Sequence, residues 1–170
     1  MKSSALLQRT LWVAALCAPS LFAHAERVIV PLHGFQEVPA VSTSARGAFV
    51  ADIKGDSIRY ELRYDALQGE VRQAHIHLGQ RDVNGGVSVF LCQTATNPDP
   101  TGLAPTCPPP PARVSGMLTA ANVIGPASQG IAAGEFAELL RAIRAGKAYV
   151  NVHSDTFPGG EVRGQTGHGH

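Results

Sequence analysis

Beyond residue 26 the chain alternates between apolar and polar positions. In Ser57-Ile58-Arg59-Tyr60-Glu61-Leu62-Arg63-Tyr64, Ile58, Tyr60, Leu62 and Tyr64 share one face and Arg59, Glu61 and Arg63 the other. A period of two is the signature of an antiparallel strand with one wet face. Residues 47–53 carry a second alternating phrase, and Lys54-Gly55-Asp56 between the two is a hairpin turn signal. Residues 27–32, 71–78, 87–91, 113–118, 148–153 and 160–164 read as further strands, with Asn84-Gly85 as another hairpin turn. One helix interrupts them over 135–145, where Phe136, Leu139, Leu140 and Ile143 fall at helical spacing and Gly146 supplies the stop. Short strands, Gly- and Pro-rich turns and a single helix predict an all-β fold. It is a Greek-key-like antiparallel β-sandwich or barrel with one short amphipathic helix.

The first 25 residues stand apart from this pattern. Lys2 and Arg9 precede the apolar run Leu11-Trp12-Val13-Ala14-Ala15-Leu16, and Ala23-His24-Ala25 offers small residues for cleavage. This is the layout of a secretory signal peptide, and the run is too short for a transmembrane helix. Of the 170 residues, 145 follow Ala25, enough for one domain with its own core. The expected organisation is a signal peptide over 1–25, a β domain over 26–165 and a disordered tail over 166–170 that carries His168 and His170. Cleavage removes two bases and no acid, shifting the formal charge from +1 to −1. A near-neutral chain with scattered arginines points away from nucleic acid and from a basic membrane patch. The expected location is outside the cytoplasm, periplasmic or secreted.

Cys17 leaves with the signal, so Cys92 and Cys107 remain, flanking a Pro-rich insert. An even count in an exported chain points to a disulfide closing that insert, while a pair of thiolate metal ligands is the competing role.

The chemistry concentrates in two strand phrases, Ala74-His75-Ile76-His77 and Val150-Asn151-Val152-His153. Residues i and i+2 of a strand point to the same side, so His75 and His77 form half of a metal site and His153 supplies a third imidazole. Histidines that merely hydrogen-bond within the fold are the alternative. Copper accepts three nitrogens with an open position, and zinc with three histidines and a water is the less favoured, hydrolytic variant. His33, beside Gly34 at a strand end, is a weaker candidate for a fourth ligand, with turn hydrogen bonding as its competing role. Asp155 could orient an imidazole or close an Asx turn, and Arg163 could meet an anion or lie on the surface.

Several phrases together resemble the CHRD domain, named for chordin and found also in bacterial exported proteins. They are Leu32-His33-Gly34-Phe35-Gln36-Glu37-Val38-Pro39, Ala74-His75-Ile76-His77-Leu78-Gly79 and Asn84-Gly85, with the block from Ala145 through His153-Ser154 to Gly164-Gln165 the most specific. The resemblance spans nearly all of the chain beyond residue 26 and implies an exported all-β domain. A fainter similarity links the HxH pair and the later strand histidine to copper-zinc superoxide dismutases, which implies copper ligation by His75, His77 and His153. No histidine lies between His77 and His153, so the bridging and zinc-site histidines of that family have no counterparts and the expected site is mononuclear.

Three functions follow as expectations. The first is an exported protein that binds one copper ion for storage, delivery or simple redox work. The second is a metal-free extracellular module that binds a protein or a glycan. The third is a dismutase-like redox enzyme, although no nucleophile motif or other catalytic residue is evident.

Overall fold

The alternating phrases fold as eight strands in one continuous antiparallel sheet, described for residues 25–167 by a computed structural model. The strands are β1 (Glu26–His33), β2 (Arg46–Lys54), β3 (Ser57–Asp65), β4 (Val71–Leu78), β5 (Gly86–Cys92), β6 (Ala112–Leu118), β7 (Ala148–Ser154) and β8 (Val162–Gln165). Their order across the sheet is β5-β4-β7-β8-β1-β2-β3-β6. β7 returns to lie beside β4, the Greek-key connection that the pattern predicts. β2 and β3 meet through the Gly55-Asp56 turn, where Gly55 takes a left-handed φ of 55°.

The sheet curls into a nearly closed barrel, which brings its two edges together. Tyr60 of β3 donates its hydroxyl to the Leu91 carbonyl of β5 at 2.6 Å, and Tyr64 donates to the Pro108 carbonyl at 2.5 Å. These phenols occupy acceptors that an open sheet edge would leave to water or to another chain. The Cys92–Cys107 disulfide joins the end of β5 to the approach to β6, so the thiolate-ligand role for these cysteines falls away.

One side chain in two from each strand fills the barrel. Phe49, Ile53, Tyr60, Leu62, Ile76, Val150 and Val152 are all buried there. The helix α1 (Phe136–Arg144) adds Phe136, Leu139, Leu140 and Ile143 to the same cluster. It ends in a Schellman motif: the Lys147 N–H donates to Ala142 O and the Gly146 N–H to Ile143 O, with Gly146 at φ 64°.

Small departures from expectation lie in the loops and near the C-terminal end. Asn84-Gly85 does not form a tight hairpin, because β4 ends at Leu78 and β5 begins at Gly86, leaving a seven-residue loop. The strand expected over 160–164 begins at Val162, since Gly160 at φ 129° still belongs to the preceding turn. Thr166, expected in the tail, is buried and donates its hydroxyl to Ala148 O at 2.9 Å. Residues 1–24 of the segment expected to be a signal peptide over 1–25, and the tail histidines His168 and His170, lie outside the described residues. Among the described residues no helix is long and apolar enough to cross a membrane.

Candidate metal centre

The three strand histidines converge because β4 and β7 are neighbours. In their register His75 lies opposite Asn151, His77 opposite Tyr149 and Gln73 opposite His153. All six share the outer face of the barrel, since the intervening Ala74, Ile76, Val150 and Val152 fill its interior. An outer face would ordinarily be wet, yet every residue of β7 is buried. Loops form a roof over it. The segment after β1 contributes Glu37, and its Val38 carbonyl accepts from Asn84 of the β4–β5 loop at 2.8 Å. The turn after β7 contributes the Pro158 carbonyl.

Under this roof one potential ligand atom from each of His75, His77 and His153 lies within 4.8 Å of the others. His75 Nδ1 stands 3.2 Å from His153 Nε2. Three donors about 2.0–2.1 Å from a common ion stand about 3.3–3.6 Å apart, so the widest pair of the cluster needs to close by up to about 1.5 Å.

Hydrogen bonds select the nitrogens. His77 Nδ1 lies 2.9 Å from Gly85 O, and His153 Nδ1 lies 2.9 Å from Pro158 O. A carbonyl can only accept, so each Nδ1 carries the proton and each Nε2 keeps its lone pair. His77 Nε2 is buried without any partner, an orphaned acceptor of the kind that a bound cation satisfies. For His75, Nδ1 is the nitrogen that faces the cluster.

Burial keeps these rings neutral. It drives the pKa of His75 down to about 2, with the charges of His153 and His77 adding to the effect. It drives His77 down to about 4 against the opposing Gly85 carbonyl, and lowers His153 against the Pro158 carbonyl. Neutral imidazole is the ligating form, so at pH 7 the site needs no deprotonation before it can bind an ion.

Aromatic packing fixes the ring planes. Phe90 meets His75 edge-on at 4.3 Å, and Tyr149 stacks on His77 at 4.7 Å with 7° between the planes. The Arg163 guanidinium lies 3.4 Å from the Tyr149 centroid. Arg163 is 2% exposed, which overturns the expectation of a surface residue. It donates to Gln80 O, Val83 O and Asn84 Oδ1, clamping the β4–β5 loop that carries Gly85.

His33 stays outside the cluster. It pairs in register with Arg163, which in turn pairs with Asn151, so two strand spacings, about 10 Å, separate it from β7. Its residue is exposed at the end of β1. Asp155 touches no imidazole either. Its carboxylate accepts from the Glu70 N–H at 2.9 Å and ties the end of β7 to the start of β4.

The CHRD domain family model matches residues 28–166, which includes the whole cluster and the strands that carry it. The chain belongs to the CHRD family. No curated protein and no solved structure matches it. The likeness of this CHRD domain to copper-zinc superoxide dismutases therefore rests on the HxH phrase and His153 alone. Within the CHRD match lie three buried residues that sequence patterns did not single out: Asn151, Tyr149 and Glu37. The i, i+2 relation of Tyr149, Asn151 and His153 was a signal for the first two. Glu37 sits on a loop, and nothing local marks it. Burial pushes its carboxyl up to about 7, held back by the Arg163 charge and by the Val38 and Asn151 donors.

Proposed function

We propose that this CHRD domain is an exported module that binds one metal ion, copper in preference to zinc, through His75, His77 and His153. The observation that carries the reading is the convergence of three buried, neutral imidazoles whose Nδ1 protons are committed elsewhere on two of the rings. Without a ligand role His77 Nε2 is an uncompensated buried acceptor, at a cost of about 1–3 kcal/mol, whereas His75 Nε2 is buried without a partner whether or not an ion binds at Nδ1. Copper is preferred because nitrogen sites bind it most tightly among the divalent first-row ions. Export agrees with the disulfide, which persists in oxidising compartments, and with the signal-like first 25 residues. Storage, delivery or simple redox work follows from such a site, and no reaction is assigned.

Equilibrium dialysis of the protein against Cu(II) and Zn(II) tests the reading. One tightly held ion per chain, copper tighter than zinc, is expected, with loss of that ion in the combined His75→Ala, His77→Ala and His153→Ala variant. Stoichiometric binding that survives the triple substitution sinks the ligand set.

A further inference from the structure

Asn151 stands at the centre of the cluster with its amide oxygen turned toward the imidazoles. It is directly opposite His75 in the β4–β7 register, two residues before His153, and 2% exposed. Its Oδ1 lies 3.0 Å from His153 Nε2. Two donors at about 2.0–2.1 Å from one ion and roughly 90–100° apart stand about 3 Å from each other. The Oδ1–Nε2 separation matches that spacing, as does the 3.2 Å between His75 Nδ1 and His153 Nε2.

Hydrogen-bond accounting leads to the same place. A neutral imidazole carries one proton, and that of His153 is committed at Nδ1 to Pro158 O. Its Nε2 lone pair then faces the Asn151 oxygen, so two acceptors oppose each other in a buried space. Turning the amide over would relieve that contact but would place the oxygen against the Glu37 carboxyl. The crowding around Gly160 shows how close the two groups are: a Cβ there would come 2.3 Å from Glu37 Oε1 and 2.8 Å from Asn151 Nδ2. The amide nitrogen thus lies on the Glu37 side and the oxygen among the imidazoles.

We propose that Asn151 Oδ1 is a fourth ligand of the bound ion, completing a set of three nitrogens and one oxygen. This rests on the three-histidine reading above and extends it to the valence of the ion. A carbonyl oxygen is a hard donor, suited to a divalent ion, whereas cuprous copper is selected by soft sulfur ligands. The site is therefore built for Cu(II) in its resting form.

The test loads the protein, carrying asparagine labelled with ¹³C at the side-chain carbonyl, with one equivalent of Cu(II). Electron-nuclear double resonance then reads the coupling to the labelled carbon. A strong coupling in the wild-type protein, lost in Asn151→Ala, is expected, together with at least a roughly tenfold weaker Cu(II) affinity in that variant. Asn151→Asp, which keeps an oxygen at the same reach, is expected to restore the affinity. A stoichiometrically loaded wild-type protein without that coupling overturns the Asn151 assignment and leaves the three-histidine site standing. Failure of the wild-type protein to take up one equivalent overturns the three-histidine reading itself.

Discussion

His75 Nδ1 and His153 Nε2 lie 3.2 Å apart, although 78 positions separate the two residues in the chain. The β4–β7 pairing closes that distance, and it does so on the barrel face that the loops bury. An ion held there binds the folded protein and not the unfolded one, so it raises stability by mass action. With free Cu(II) at about a hundred times its dissociation constant the gain is about 2.7 kcal/mol, a rise of several degrees in Tm. Scanning calorimetry with and without the ion should show that rise in the wild-type protein and none in His153→Ala.

Acid should destabilise the metal-free protein from about pH 6.5 downward. Unfolded histidines protonate near 6.5, whereas folded His77 does so near 4 and His75 near 2, so below 6.5 the unfolded chain binds more protons. Their contribution to stability is complete above 6.5 and falls away toward those lower values. Glu37 acts in the opposite sense. Its folded pKa of about 7 lies above the ordinary 4.5, so its contribution is present below 4.5 and is lost as pH rises through 7. Two histidines outweigh one carboxyl, leaving a net loss of about 2 kcal/mol between pH 7 and pH 5. Urea titrations across that range should show the loss, and Glu37→Gln should steepen it. A flat profile in both proteins would contradict the burial of neutral rings.

Arg163→Met should cost about 3 kcal/mol in denaturant unfolding, because Gln80 O, Val83 O and Asn84 Oδ1 lose a buried charged donor. The released β4–β5 loop also carries the Gly85 carbonyl that orients His77, so metal affinity should fall with it. Unchanged hydrogen exchange in residues 79–85 of the variant would show that Arg163 does not clamp the loop.

Replacing Cys92 and Cys107 together by alanine removes a cross-link between positions 15 apart and should cost about 3 kcal/mol. Thermal unfolding measures it. Because the bridge lies at the β5–β6 edge rather than under the roof, metal stoichiometry should be unchanged in the folded variant.

Strand identity was legible wherever one face is wet. β3 alternates cleanly because Arg59 and Arg63 look outward while Ile58, Tyr60, Leu62 and Tyr64 look inward. The HxH pair and His153 were legible although their face is covered, since period two sets which residues share a side. The burial of Arg163 and Glu37 was not, because it comes from loops that cross the outer face, and no local pattern encodes a long-range cover. Asn84-Gly85 carried a hairpin signal, yet Gly85 answers to a different constraint. A Cβ at Gly85 would lie 1.7 Å from Leu78 O, so only glycine permits the approach that places its carbonyl on His77.

The ligand set itself is most directly read from the imidazole nitrogens. Long-range ¹H–¹⁵N spectra of the histidine rings, recorded before and after one equivalent of diamagnetic Zn(II), report which nitrogens take up the ion. Shifts of His75 Nδ1, His77 Nε2 and His153 Nε2 at one equivalent, with His33 unmoved, are the predicted result. Shifts confined to His33 or to the tail histidines His168 and His170, with the three strand histidines unchanged, would contradict a metal centre between β4 and β7.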